Sequence, residues 1–276
     1  MSAAGGLENA LLIARGAKCR CVQFFSANQR QWRAKALTAE QIDLFRQTYA
    51  TSGLETLVVH GSYLINLAAT NREFLKKSIA ALVEEFVRCD QLGSDFLVLH
   101  PGADMGAGET AGIAKVAASL NRVLNKDWKC QLLLETTAGQ GSSLGHRFEQ
   151  LAAIIASVER PEQIGVCLDT CHVFAAGYEL RSRSGFQKTI RQFKETVGLE
   201  RLKVLHVNDS RTDMGSRVDR HDHIGKGKIG KEAFGYLVND ARLNRLPFIL
   251  ETPKGKSPGG RNFDMLNLAT LRRLVK

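Results

Sequence analysis

The stretch IGVCLDTCHV, residues 164–173, decides how this chain is read. Five apolar or small residues run without a polar break and stop at Asp169, and His172 follows three residues later. An unbroken apolar run of this kind fits a strand buried on both faces, as in a parallel sheet covered by helices. An aspartate closing such a run costs free energy unless it is paired or holds a cation.

The device recurs. CRCVQFF (19–25), TLVVH (56–60), DFLVLH (95–100), QLLLE (131–135), KVLHVND (203–209) and PFILE (247–251) are further strand candidates. Helical patterns lie between them, over 7–15, 38–49, 72–92, 110–124, 147–158, 186–197, 231–238 and 264–274. The first stops at Gly16, and TAEQ (38–41) has the form of a capping box opening the second. Strand and helix alternate from end to end without a break in composition, so the chain reads as a βα-repeat in a single domain spanning 1–276.

Composition narrows the function. The chain has 276 residues, a size that suits one α/β barrel, with 44% hydrophobic and 24% charged residues. Lys and Arg number 38 against 28 Asp and Glu, a formal charge of +10. That balance favours a polyanionic partner, nucleic acid first, although a basic surface can also be merely solvated. The six cysteines include no CxxC pair, and several sit in strand-like runs, so they read as reduced core thiols. ALLIA (10–14) is too short for a secretory signal and no apolar run reaches membrane-spanning length, so the expected location is cytoplasmic, with no membrane partner.

Six strand candidates carry a ligand-type residue at or near their C-terminal ends: His60, His100, Glu135, Asp169, His206 and Glu251. Taken singly, each has a plain explanation as a satisfied core histidine or a cap on the next helix. In a closed βα barrel, however, all strand C-termini share one face, so six such side chains would converge. Crowded carboxylates raise one another's pKa and oppose folding unless cations are bound. Mixed imidazole and carboxylate ligation without thiolate suits zinc, with manganese second. His172, with Asp219 and His221 from RVDRHDH, extends the set to nine, which suits three metals and one bridging carboxylate.

The blocks VVHGSYLINLA, LVLHPGA, LLLETTAGQGSSLG, GVCLDTCHVFAAGYEL, LHVNDSRTDMGSRVDRHDHIGKGKIG and FILET resemble the signatures of endonuclease IV. That is the trinuclear-zinc apurinic/apyrimidinic endonuclease family, built on a TIM (β/α)8-type barrel, and the blocks recur in order from about residue 2 to 252. The family's short strand ahead of SAAGGL is missing from this chain, so seven strands are expected, with two unpaired edges. The resemblance implies three Zn²⁺: one on His60, His100 and Glu135; a second on Glu135 as bridge, Asp169, His206 and Glu251; a third on His172, Asp219 and His221. It implies hydrolysis 5′ of an abasic site in duplex DNA to leave a 3′-hydroxyl, with trimming of blocked 3′ ends. Glu135 and Glu251 would be catalytic, orienting the attacking water.

The same likeness places Arg30 of NQRQWRA, and Tyr63 and Leu64 of SYL, as wedges into a base stack already weakened at the lesion. Arg217, Arg220, Lys226 and Lys228 lie in a Gly-containing basic loop that could bind backbone phosphates. GQGSSLG (139–145) lacks the GK[ST] of a phosphate-binding loop and reads as the connection after the Glu135 strand. His146 and His223 are expected at the surface, and the protein is expected to be a monomer. Two other readings stand beside this one: a two-metal sugar isomerase on a related barrel, and a non-catalytic binder of abasic DNA.

Overall fold

Each of the seven apolar runs forms a strand in the structure, a computed structural model describing residues 1–276. The chain divides into two compact units, residues 1–135 with 153–165, and residues 136–152 with 166–276. The first contains α1 (Glu8–Gly16), β1 (Cys21–Phe24), α2 (Ala39–Ala50), β2 (Thr56–His60), α3 (Arg72–Leu92), β3 (Phe96–Leu99), α4 (Glu109–Val123) and β4 (Gln131–Glu135). The chain continues through α5 (Phe148–Ala156) and β5 (Ile164–Asp169). The second unit then carries α6 (Thr170–Ala176), α7 (Arg183–Thr196), β6 (Leu202–His206), β7 (Asp209–Ser210), β8 (His221–Asp222), α8 (Lys231–Val238), β9 (Phe248–Ile249) and α9 (Phe263–Arg272).

Within the first unit the strands lie in the order β1-β2-β3-β4, and β5, β6 and β9 follow one another in the same way, so each strand neighbours the next in the chain. Registers within β1–β4 and within β5, β6 and β9 are parallel. Every residue of β5 is buried, as are the last four of β2 and of β4, which is why these runs carry no polar alternation. Each Leu, Val or Ile so buried contributes roughly 1.5–3 kcal/mol relative to exposure. Aromatic rings pack α2 on β1, where Phe24 meets Phe45 at 5.4 Å, and tie loops to helices, where Phe86 stacks on Trp128 at 4.9 Å and Phe148 on Tyr178 at 4.1 Å.

The helix ends follow local chemistry. Thr38 and Gln41 form the reciprocal capping box at α2. Asn71 caps α3 through Phe74 N–H, and Gly93, at φ 74°, ends it in the left-handed region. Two features depart from expectation. KVLHVND splits: β6 ends at His206, and Asp209–Ser210 instead pairs antiparallel with His221–Asp222. Helix α6 follows β5 with no intervening loop, because Asp169 ends the strand and caps the helix, its carboxylate accepting from His172 N–H at 2.9 Å. All six cysteines are free, four of them buried. No helix is long and apolar enough to cross a membrane.

Candidate metal centre

In the first unit, parallel register sets the donors level. Leu99 pairs with Leu134, so the next residues, His100 and Glu135, reach the same height at the strand ends. Glu135 is fully buried, and its Oε2 lies 3.1 Å from His60 Nε2 and 3.0 Å from His100 Nε2. His60 Nδ1 lies 2.8 Å from the Gly61 carbonyl, which fixes Nδ1 as the protonated nitrogen and turns the Nε2 lone pair toward Glu135.

The second unit holds two further groups. Asp169 pairs in register with His206, which pairs with Ile249, two residues before Glu251. His206 Nδ1 lies 3.2 Å from Glu251 Oε2 and 3.9 Å from Asp169 Oδ2, and both Asp169 and His206 are fully buried. The other group draws on α6 and β8. Asp219 Oδ2 lies 3.2 Å from His172 Nε2, its Oδ1 lies 3.3 Å from His221 Nε2, and the two Nε2 atoms are 3.4 Å apart.

These spacings fit a bound cation. Donors at about 2.0–2.1 Å from a tetrahedral zinc stand about 3.3 Å from one another. The His172–His221 contact has a further requirement. His172 Nδ1 meets the Thr136 carbonyl at 2.8 Å and His221 Nδ1 meets the Glu251 carbonyl at 3.2 Å, so both rings donate at Nδ1. Two Nε2 lone pairs then face each other across 3.4 Å, an arrangement that a cation between them relieves. Candidate groupings with all donor atoms within 4.8 Å include His60–His100–Glu135 and Asp169–His172–His221. Cys171 also comes within that range of Asp219 and His221, a neighbour the sequence does not suggest. Burial, reinforced by the Asp169 charge, pushes its thiol up to about 12 and favours the neutral form.

Three buried polar residues that sequence reading misses hold this arrangement. Asn208 is fully buried: its amide N–H donates to Asp169 Oδ2 at 2.6 Å, and its amide oxygen accepts from Glu251 N–H at 2.7 Å. Thr136 accepts from Asp169 N–H through its hydroxyl at 2.9 Å and from His172 through its carbonyl. The Asp209 carboxylate, also fully buried, accepts backbone N–H bonds from Ser210, Gly225, Gly227, Ile229 and Gly230. Residue 227 must be glycine, since a Cβ there would lie 2.2 Å from the Ser210 carbonyl oxygen. The signal for Asn208 and Asp209 is their place two and three residues beyond a strand-end histidine, inside LHVNDS.

The expected DNA-contacting residues lie in loops. Arg30, Tyr63, Arg217, Arg220, Lys226 and Lys228 carry at least partly exposed side chains, and Leu64 is half-buried. Tyr63 is 59% exposed, unusual for a large ring. Gln29 and Ser62 join the Arg30 and Tyr63 loops, the Ser62 hydroxyl donating to the Gln29 carbonyl at 3.1 Å. The surface placement expected for His146 and His223 is corrected: both are half-buried and partnered. His146 Nδ1 lies 2.9 Å from the Ser143 carbonyl, and His223 stacks on Phe263 at 4.0 Å while Asn267 donates to its Nδ1 at 3.1 Å.

Parallel strands ending in imidazole and carboxylate donors define a TIM-barrel protein of the metal-binding kind, and the family model described as xylose isomerase-like TIM barrel matches residues 11–268. A protein named probable endonuclease 4 from Chloroflexus aurantiacus is 48% identical over 278 aligned positions, covering 100% of this chain and 96% of the relative. Another of that name from Geobacter sulfurreducens is 47% identical, covering 100% and 93%. The crystal structure of endonuclease IV from Thermus thermophilus superposes with a TM-score of 0.86 at 36% identity, covering 99% of this chain and 96% of that one. The chain belongs to the endonuclease IV family. Family membership implies a metal cofactor, and the donor sets fit one.

Proposed function

We propose that the protein is a zinc-dependent apurinic/apyrimidinic endonuclease. It hydrolyses the phosphodiester 5′ to an abasic site in duplex DNA, leaves a 3′-hydroxyl, and also trims blocked 3′ ends. The observation that carries this reading is the spacing of the donors, 3.0–3.4 Å between atoms from separate strands and loops. His60, His100 and Glu135 would hold one Zn²⁺; Asp169, His206 and Glu251 a second; His172, Asp219 and His221 a third. Mn²⁺ is the substitute these ligands would also accept.

When bound, such ions supply Lewis acidity and make water acidic enough to attack near neutral pH. The remaining work belongs to the side chains. Glu135 and Glu251 orient the attacking water and accept its proton. His60, His172 and His221, fixed in one tautomer by carbonyl partners, present lone pairs without reorganising. Arg217, Arg220, Lys226 and Lys228 hold the DNA backbone, and Arg30, Tyr63 and Leu64 enter the gap left by the missing base. We read the chain as acting as a monomer.

The test is nicking of a duplex oligonucleotide with one abasic site, with and without a chelator, together with metal analysis. We expect nicking that chelation abolishes and zinc restores, with about three zinc ions per chain. Two Mg²⁺ or Mn²⁺ ions and no nicking would favour sugar isomerisation; binding without a nick would favour a damage-recognition protein. Arg30→Ala and Tyr63→Ala are each expected to reduce the preference for abasic over intact duplex by about tenfold, the scale of base-stack contacts. Preference equal to that of the unmutated protein in competition binding would remove the wedge role.

A further inference from the structure

Helix α3 carries two charged side chains, Glu85 and Arg88, on its buried face, and neither belongs to a donor group described above. Buried charges of this kind are retained only with full hydrogen bonding. Their hydrogen-bond partners belong to the two exposed loops. Arg88 Nε donates to the Ser26 hydroxyl at 2.9 Å, one terminal nitrogen donates to the Ser26 carbonyl, and the other donates to the Lys35 carbonyl at 3.1 Å. One guanidinium therefore grips both ends of the segment carrying Arg30. Glu85 Oε2 accepts from the Ser26 hydroxyl at 2.8 Å, and the carboxylate also accepts from Ser62 N–H, the residue before Tyr63. The Ser62 hydroxyl reaches Gln29, closing the circuit. A small cavity lies between these groups, lined by Ala27, Asn28, Trp32 and Ser62 from the two loops and by Glu85 and Arg88 from α3.

Burial pushes the Glu85 carboxyl up and the Arg88 guanidinium down from their ordinary values, against the mutual attraction of the pair. Hydrophobic groups of similar volume often cost no more than such a pair, and what the pair adds is a directional hold on Ser26, Lys35 and Ser62.

We propose that the buried Glu85–Arg88 pair locks the Arg30 loop and the Tyr63 loop into one recognition element and thereby sets the preference for duplex DNA interrupted by an abasic site. This rests on the function proposed above. Glu85 and Arg88 are positioning residues: neither touches DNA, and each acts through the backbone it holds.

The experiment compares the unmutated protein with Arg88→Met and Glu85→Gln. Hydrogen exchange is read over residues 26–35 and 61–66, and binding is measured to one oligonucleotide duplex with an abasic site and to the same duplex intact. Arg88→Met is expected to speed exchange in both loops together and to lower the abasic-over-intact preference about tenfold, the scale of a charge-assisted hydrogen bond. Metal content and turnover at saturating abasic duplex are expected to stay within about twofold. Glu85→Gln keeps an acceptor for Ser26 and Ser62 and is expected to retain most of the preference. If Arg88→Met fails to fold, Ser26→Ala removes the shared hydroxyl with less disturbance and is expected to shift both loops in the same direction.

Faster exchange in only one loop, or in both with unchanged preference, overturns the proposal. An unmutated protein that binds both duplexes alike overturns the proposed function instead, a result that the exchange measurement, made without DNA, keeps separate from the coupling of the loops.

Discussion

Glu251→Gln is expected to lower the nicking of abasic duplex on the order of 10²–10⁴-fold, the range for loss of a positioned acid–base group, while duplex binding is retained. The substitution is isosteric. It leaves the backbone N–H of residue 251 on Asn208 and changes only the side-chain oxygen now 3.2 Å from His206 Nδ1. What disappears is the negative charge, and with it the ability to accept a proton from the attacking water. Duplex binding is expected to hold, since removing an anion from the site proposed to meet the phosphate reduces repulsion. Single-turnover nicking measured beside fluorescence-anisotropy binding separates the two effects. Turnover equal to that of the unmutated protein would exclude Glu251 from the reaction.

Asn208→Ala is expected to weaken binding of the ion proposed for Asp169, His206 and Glu251 by about 10–100-fold, the usual effect of losing a residue that orients metal ligands. One amide ties the Asp169 carboxylate to the backbone of Glu251. Alanine releases both and leaves a buried N–H and a buried carboxylate oxygen without that partner, costing about 1–3 kcal/mol in stability as well. Competition against a chromophoric chelator measures the affinity, and thermal unfolding at saturating zinc measures the stability. An unchanged zinc affinity in a folded variant would reduce Asn208 to a structural hydrogen bond.

Much of the fold is legible in the sequence because seven runs bury both faces, and continuous apolarity is a signal that needs no partner to be read. TLVVH, QLLLE and IGVCLD become strands with the same bounds. The nine candidate ligands are legible for a related reason. Histidines and carboxylates stand out against apolar strand ends, and a parallel fold brings strand ends together. Asp169 shows why two readings of one residue need not compete, since one oxygen caps α6 while the other faces His206 and Asn208.

What stays hidden acts through the backbone of distant segments. Asn208, Thr136 and Asp209 are ordinary polar letters whose partners are amides up to dozens of positions away, and their place just beyond a strand end marks the positions without naming those partners. Glu85 and Arg88 sit three apart on a helix, a spacing equally suited to an exposed ion pair. His146 and His223 are misplaced for the opposite reason: their burial comes from Gly139 and Phe263, ring-shaped space that only the folded chain creates.

The five amides gathered on Asp209 bear on timing. They draw the segment from Ser210 to Gly230 around one carboxylate, and the ladder from Asp209 to Asp222 anchors its middle. The conformational entropy of that excursion is therefore surrendered when the polypeptide collapses, not when a cation or a nucleic acid arrives. The backbone that carries His221, Lys226 and Lys228 is thus set in advance, and binding of the proposed DNA substrate is expected to depend on diffusion and charge rather than on folding around the target.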